Sequence, residues 1–369
     1  MRILIAPDKF KGSLKAMEAA EAIRDGFARV FPDAHYELAP IADGGEGTAA
    51  VFLHSMSGEE VEVPAHDALG RPISAKYTWF RDKQLAVIEM SEASGLWRFK
   101  PSELKPLQAT TFGTGELMAD AIKRGAETIL VALGGSATND AGVGMATALG
   151  WKFLDATDNE MDPRPGNFAM IQTIVPPADR SPCRITALCD VNNPLLGPNG
   201  ATYVYGPQKG ATKTQLETLE AGLTHVADLC RDHLYLDFRD TAGAGATGGL
   251  AFGLMTFCDA TIEMGFDTVS ELLDLKGKTL DVDFVITGEG RLDAQSLQGK
   301  GPAEVAKLAR LHGRPVIAFA GEILGPLEGF DVCIPISNGA MTLEQSQARA
   351  AELLRDAAER TARLIKISL

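Results

Sequence analysis

Short apolar runs that stop in glycine-rich loops, each followed by a helical stripe, most constrain how this 369-residue chain can fold. RILIA (2–6) leads into PDKFKG and then into a stripe of Leu14, Met17, Ala20, Ile23, Phe27 and Val30 at helical spacing. Ser13 stands before that stripe as an N-cap candidate. The order strand, polar loop, helix is the repeating unit of an α/β sheet. It recurs where HYELAPIA (35–42) meets DGGEGT, where TILVAL (128–133) meets GGSATND, and where DFVIT (283–287) meets GEGRLD. TILVAL is continuously apolar, as a parallel strand buried on both faces must be.

Between these units the pattern changes. VEV, AKYTWF and LAVIEM, within 59–95, read as an antiparallel meander. The stretch 151–265 is mixed, with strands ITALCD and TYVYG, a helix opened by the capping pair Thr212 and Gln215, and a small-residue helix after GAGATGG. PVIAFA and VCIPI are strands, and a last helix runs from the pair Thr342 and Gln345 to about 366. The simplest assembly is a parallel α/β domain of segments 1–58, 96–150 and 266–369, with a mixed α+β domain (59–95 and 151–265) inserted in it. Trp79, Phe80, Trp97 and Phe99 are expected in the core of the smaller domain.

Composition narrows the function classes. There are 49 acidic against 35 basic residues, a net charge of −14, which disfavours nucleic acid and anionic membrane as partners. No run reaches the roughly 18 apolar residues of a membrane span, and the N-terminus lacks a secretory signal, so a cytoplasmic protein is expected. The five cysteines form no CxxC pair and the six histidines no HxxxH pair, which argues against structural zinc. Glycine is the excess: 38 residues, clustered with Ser, Thr, Asn, Asp and Lys. Such clusters bring main-chain N–H groups up to an oxyanion.

In open parallel sheets ligands bind beyond the carboxyl ends of the strands. If one sheet carries all four loops, one face gathers Asp8, Lys9, Lys11, Asp43, Glu46, Ser136, Thr138, Asn139, Asp140, Glu289, Arg291 and Asp293. Glycine N–H groups to hold phosphate, cations to offset its charge and carboxylates for magnesium or a proton together suit phosphoryl transfer. Neither QGKGP nor KGKTL completes a Walker A loop, because Ala294 and Leu272 stand where its first glycine belongs. GAGATG (243–248) matches GxGxxG but follows a poor strand. No GxSxG elbow occurs.

PDKFKGSL, ADGGEGT, TFGTGE, LGGSATNDAGVG, DVNNPLLG, GPQKG, AGAGATGGL and DFVITGEGRLDAQSLQGKGP, in that order, closely resemble the bacterial glycerate kinase family that lacks a Walker loop. The resemblance implies ATP- and magnesium-dependent phosphorylation of (R)-glycerate, usually to 2-phosphoglycerate, with 3-phosphoglycerate open. It implies a three-layer flavodoxin-like domain joined to a restriction-enzyme-like second domain. Glycerate and ATP are then the small-molecule partners.

Roles follow from chemistry. Arg291 is the candidate clamp for the glycerate carboxylate, and Asp190, at a strand end, the candidate acceptor of the hydroxyl proton. These two are expected to come from different domains. Asp8, Lys9, Ser13 and Asp293 are candidate substrate contacts. Asp43 and Glu46, with Glu289 in reserve, are candidates for magnesium. The triphosphate is expected over Gly44, Gly45, Gly134, Gly135, Ser136, Thr138 and Asn139, near Gly243 and Gly245, with Lys209 and Lys300 offsetting its charge. A dinucleotide-dependent oxidoreductase of a small hydroxy acid and a non-catalytic sugar-acid sensor are the alternatives.

Overall fold

The computed structural model describes residues 1–179, 182–293, 301–325 and 328–368. Its strands are β1 (Arg2–Ile5), β2 (His35–Leu38), β3 (Glu59–His66), β4 (Pro72–Phe80), β5 (Leu85–Glu89), β6 (Thr128–Ala132), β7 (Lys152–Leu154), β8 (Thr173–Val175), β9 (Arg184–Leu188), β10 (Thr261–Glu263), β11 (Phe284–Leu292), β12 (Val316–Ile323) and β13 (Val332–Pro335). The chain divides into two compact units. The first holds Met1–Asp43, Ala50–Ser55 and Gly265–Leu369; the second holds Gly44–Ala49 and Met56–Met264.

The first unit is built on a five-stranded sheet in the order β13-β12-β11-β1-β2, with every neighbour parallel. This is the flavodoxin-like order, whose strand sequence reverses between β1 and β11. The helix Ala16–Ala28 buries Ala20, Ile23 and Phe27 of the expected stripe, together with Ala19. Ile23 and Phe27 each contribute roughly 1.5–3 kcal/mol by leaving water. Its neighbour is the C-terminal helix Ala350–Ser368, approached so closely that a Cβ on Gly26 would lie 2.3 Å from the Arg355 carbonyl.

Ser13 is not the N-cap. The cap is Lys15, whose N–H donates to the Glu18 carboxylate at 2.8 Å, while the Ser13 hydroxyl donates to the Phe10 carbonyl and closes the preceding turn. The closing helical region also differs from expectation. The Thr342–Gln345 box opens only the short helix Leu343–Ala348, and Arg349 leaves helical geometry before the long helix starts. A further correction concerns GEGRLD, expected as a loop. β11 continues through Gly288, Glu289, Gly290 and Arg291 to Leu292, paired with β12. Gly288 makes this possible, because a Cβ there would lie 2.3 Å from the Phe319 carbonyl.

The second unit carries a six-stranded sheet in the order β10-β9-β6-β5-β4-β3. The pairs β10/β9, β9/β6 and β6/β5 are parallel, and the meander β5-β4-β3 is antiparallel as the sequence implies. β6 therefore belongs here, so segment 96–150 lies in this unit and not with the parallel domain of residues 1–58. A continuously apolar strand fits the centre of either sheet, and only pairing decides between them. TYVYG is helical (Ala201–Tyr205), against its strand propensity: Ala201 and Thr202 are buried, and Gly200 serves as N-cap. The box at Thr212 and Gln215 opens the helix Lys213–Leu229 as expected.

Two cores fill this unit. One packs Val61, Tyr77, Trp79, Ile88, Leu117 and Val131 on the sheet, and the other gathers Trp151, Phe153, Phe168, Leu223 and Phe252. Trp97 is the departure, 59% exposed where a core residue was expected. No disulfide joins any of the five cysteines. No helix among the described residues is long and apolar enough to cross a membrane.

Candidate functional site

The expected gathering of all four loops on one sheet does not occur. PDKFKG and GEGRLD belong to the five-stranded sheet, and GGSATND to the six-stranded sheet. Each unit holds its own cluster.

In the first unit the cluster stands at the point where the strand order reverses. Asp8 follows β1, and its N–H donates to the Gly288 carbonyl of β11 at 2.8 Å. Its carboxylate accepts the Lys9 N–H at 2.6 Å and lies beside Gly301, which opens the helix Gly301–Leu311. Burial pushes the Asp8 carboxyl up to about 7. Lys9 opposes that rise, while the Asp43 and Glu289 carboxylates add to it. The Lys9 amine pairs with Asp43 at 3.2 Å. Glu289 and Arg291 share one face of β11, two residues apart. Arg291 Nε lies 3.3 Å from the Asp293 carboxylate and 3.5 Å from that of Glu322, its register partner on β12.

In the second unit the parallel strands align Glu89, Ala132, Leu188 and Glu263 in one row, so the loops that follow share an edge of the sheet. β6 delivers residues 134–140. Gly135 has φ +63°, and the carbonyls of Gly135 and Thr138 are tied back, the first to the Leu96 N–H at 2.7 Å and the second to the Lys209 amine. The N–H groups of Gly134, Gly135, Ser136, Thr138, Asn139 and Asp140 make no hydrogen bond among the described residues. Carbonyls anchored and amides unspent make residues 134–140 a candidate anion-binding nest, open at Gly134 and Gly135 and buried at Ser136, Thr138, Asn139 and Asp140. Gly134 also meets the second glycine loop: a Cβ on it would lie 3.1 Å from Gly45 Cα and 3.3 Å from the Glu46 nitrogen. Asp190 follows β9, the strand next to β6.

Three buried ionisable side chains support these loops. Glu89 ends β5, and its Oε1 accepts the N–H groups of Gly47 at 3.0 Å and Ala49 at 2.9 Å. Burial raises its carboxyl above the ordinary range, those two N–H groups oppose the rise, and Glu92 and Glu46 add to it. Asp140 accepts the Thr111 N–H and hydroxyl at 2.7 and 2.9 Å, and also the N–H groups of Gly142 and Gly144. Lys209 is fully buried; burial pushes its amine down to about 7, opposed by the Asp140 carboxylate.

A profile of the glycerate kinase family matches residues 3–366. The chain belongs to the glycerate kinase family. It is 45% identical to a glycerate kinase of Bacillus subtilis over all of this chain and 98% of the relative. It is 40% identical to a glycerate 2-kinase of Escherichia coli, with 94% of this chain and 93% of the relative aligned. The crystal structure described as glycerate kinase 2 from Salmonella typhimurium LT2 is similar throughout, with a TM-score of 0.89 at 40% identity, covering 100% of this chain and 99% of that one. The family makes this chain a kinase.

Within this glycerate kinase family member, the candidates divide. Asp8, Lys9, Asp43, Glu289, Arg291 and Asp293 fall in the first unit, and Gly44, Gly45, Glu46, Gly134, Gly135, Ser136, Thr138, Asn139 and Asp190 in the second. Asp190 thus lies in the second unit and Arg291 in the first. Ser13 is spent on its turn. Lys209 lies beneath residues 134–140, holding a carbonyl. Gly243 and Gly245 are buried: a Cβ would lie 3.1 Å from the Val191 carbonyl in one case and 2.2 Å from the Pro194 carbonyl in the other. They let the main chain pass under the Asp190 turn. Lys300 falls outside the described residues. Glu89 went unnoticed in the sequence; its signal is a carboxylate closing the apolar run LAVI, a position that demands a partner.

Proposed function

We propose that this chain catalyses ATP- and magnesium-dependent phosphorylation of (R)-glycerate to 2-phosphoglycerate. The observation that carries the reading is the candidate nest at residues 134–140, on the same sheet edge as Asp190, where the N–H groups of Gly134, Gly135 and Ser136 make no hydrogen bond among the described residues. The nest is assigned the phosphates of ATP, with Gly44 and Gly45 packed beside it. Asp190 is assigned the hydroxyl proton that leaves as the glycerate oxygen attacks the γ-phosphorus.

Arg291, in the first unit, has the planar guanidinium with paired donors that suits a carboxylate. Its contacts with Asp293 and Glu322, on a half-exposed side chain, are of the weak kind that an incoming carboxylate replaces.

Magnesium suits the oxygen ligands present. No cluster of three or more metal-ligating side chains occurs among the described residues. Magnesium on a nucleotide needs only one or two carboxylates, the rest being water and phosphate oxygens. Asp43 and Glu289, whose charges both reach Asp8, fit that requirement. When bound, the ion neutralises charge that builds on the transferring phosphoryl group. An oxidoreductase reading loses its support, because the GAGATG glycines are occupied by packing.

The test is incubation with magnesium, ATP and D-glycerate, followed by proton-coupled phosphorus NMR. Phosphate on C2 couples to one proton and gives a doublet, and on C3 to two and gives a triplet. A doublet is expected. A triplet overturns the assigned product, and no phosphorylated glycerate overturns the activity.

A further inference from the structure

Trp79 and Trp151 are buried, at 4% and 2% exposure, whereas Trp97 is 59% exposed. An indole left in water is usually mobile, and this one is fixed. Its Nε1–H donates to the Ser91 carbonyl at 3.0 Å. The Arg98 guanidinium lies over the ring, 4.5 Å from its centroid. Arg98 is itself largely buried, and its Nε donates to the Glu92 carbonyl at 2.7 Å. The guanidinium therefore covers one face of the ring, while more than half of the residue stays open to solvent. Gly95 permits the arrangement: a Cβ there would lie 2.2 Å from the Ser91 carbonyl and 2.7 Å from the indole nitrogen.

The position of this plate gives it a use. Residues 94–96 pair with residues 135–137 as an antiparallel bridge, through the Leu96 N–H to the Gly135 carbonyl at 2.7 Å and the Ala137 N–H to the Ser94 carbonyl at 2.9 Å. Trp97 is thus one residue beyond a segment hydrogen-bonded to the nest. We infer that Trp97 is the stacking platform for the base of a nucleoside triphosphate whose phosphates occupy residues 134–140. The inference rests on the kinase reading above and adds where the base lies. A ring already held at its edge and one face loses little freedom when a base covers the other. Stacking uses the π face that every base has, so Trp97 supplies affinity for a base without selecting adenine over guanine.

The experiment joins fluorescence to kinetics. ADP is expected to quench the indole emission of the wild-type protein and to leave that of W97F unchanged, since the other two tryptophans are buried. W97A is expected to raise the KM for ATP by about 5- to 100-fold, the range that loss of one stacked base implies. The kcat, the KM for glycerate and the inhibition constant of inorganic tripolyphosphate, which has no base, are expected to stay within about twofold, and W97F to recover most of the affinity for ATP. A KM for ATP in W97A within twofold of wild type overturns the platform, as does a matching loss of tripolyphosphate binding. Calorimetry separates the two levels: ADP binding equally to wild type and W97A sinks the platform alone, and a wild type that neither binds ADP nor consumes ATP sinks the kinase reading with it.

Discussion

The buried Lys209 amine donates to the main-chain carbonyl of Thr138, fixing the segment 134–140 that follows β6. That carbonyl would otherwise be a buried acceptor without a donor, or would turn toward the phosphates and repel them. Replacing Lys209 with Met keeps the stem and removes the donor. The KM for ATP is expected to rise about tenfold, the scale of a lost hydrogen bond to a buried group.

The same residue makes stability depend on pH. Its amine titrates near 7 in the fold and near 10.5 when unfolded. Between those values the unfolded chain holds the proton and the folded chain does not, so stability rises with pH. This contribution is complete above the unfolded value and is lost as pH falls through the folded one. Urea unfolding of wild type and K209M between pH 7 and 10 should show the wild type gaining on the variant, by up to about 1.4 kcal/mol per pH unit. Parallel stability curves would contradict the buried neutral amine.

Glu89 gives a third prediction. One oxygen receives both Gly47 and Ala49, so an amide, which keeps a carbonyl oxygen, can still serve them. Alanine leaves both donors without a partner. E89A is expected to lose about 2–3 kcal/mol of stability and E89Q less than half of that, read from denaturant midpoints. Equal losses would show that the charge, and not the acceptor, matters.

Gly248 separates backbone strain from crowding. A Cβ there would lie 2.0 Å from the Thr138 carbonyl and 2.6 Å from Asn139 Cα, main-chain atoms that cannot yield, and its φ is +74°. Gly125 has φ +96° with open space around it. G125A should therefore cost about 1 kcal/mol, the strain of the left-handed region, and G248A at least about 3 kcal/mol. Thermal unfolding of the two variants distinguishes them, and comparable losses would mean the 134–140 segment has room to move.

Much of this was legible in the sequence, for reasons that also mark its limit. Strand–loop–helix units, the capping pairs at Thr212 and Thr342 and the glycine-rich loops are local patterns, and local physics sets them. Which sheet receives TILVAL is not local, because a continuously apolar strand carries no label for its partner. TYVYG reads as strand by propensity and is helical because Gly200 and the burial of Ala201 and Thr202 outweigh it. Lys209 resembled a phosphate ligand because a lysine between glutamine and glycine gives no sign of burial. Trp97 was expected in a core, and only its backing by Arg98 shows an aromatic side chain held in place at the surface.

Asp190 carries the sharpest chemical prediction. It follows β9, directly beside the strand that delivers the nest, on a turn that Gly243 underlies so closely that any side chain there would approach the Val191 carbonyl. A half-buried carboxylate at such a strand end can accept a proton without leaving water altogether. Asparagine preserves its size and most of its hydrogen bonding while removing the base. D190N is expected to lower kcat by at least about 100-fold, with the KM for ATP little changed, since phosphate binding is assigned to residues 134–140. Its thermal midpoint should stay within a few degrees of wild type, which a residue needed for folding would not allow. If kcat instead stays near the wild-type value, the acceptor must be sought elsewhere. Asp8 is then the next candidate, a buried carboxyl at the β1/β11 reversal whose proton affinity already lies near neutrality.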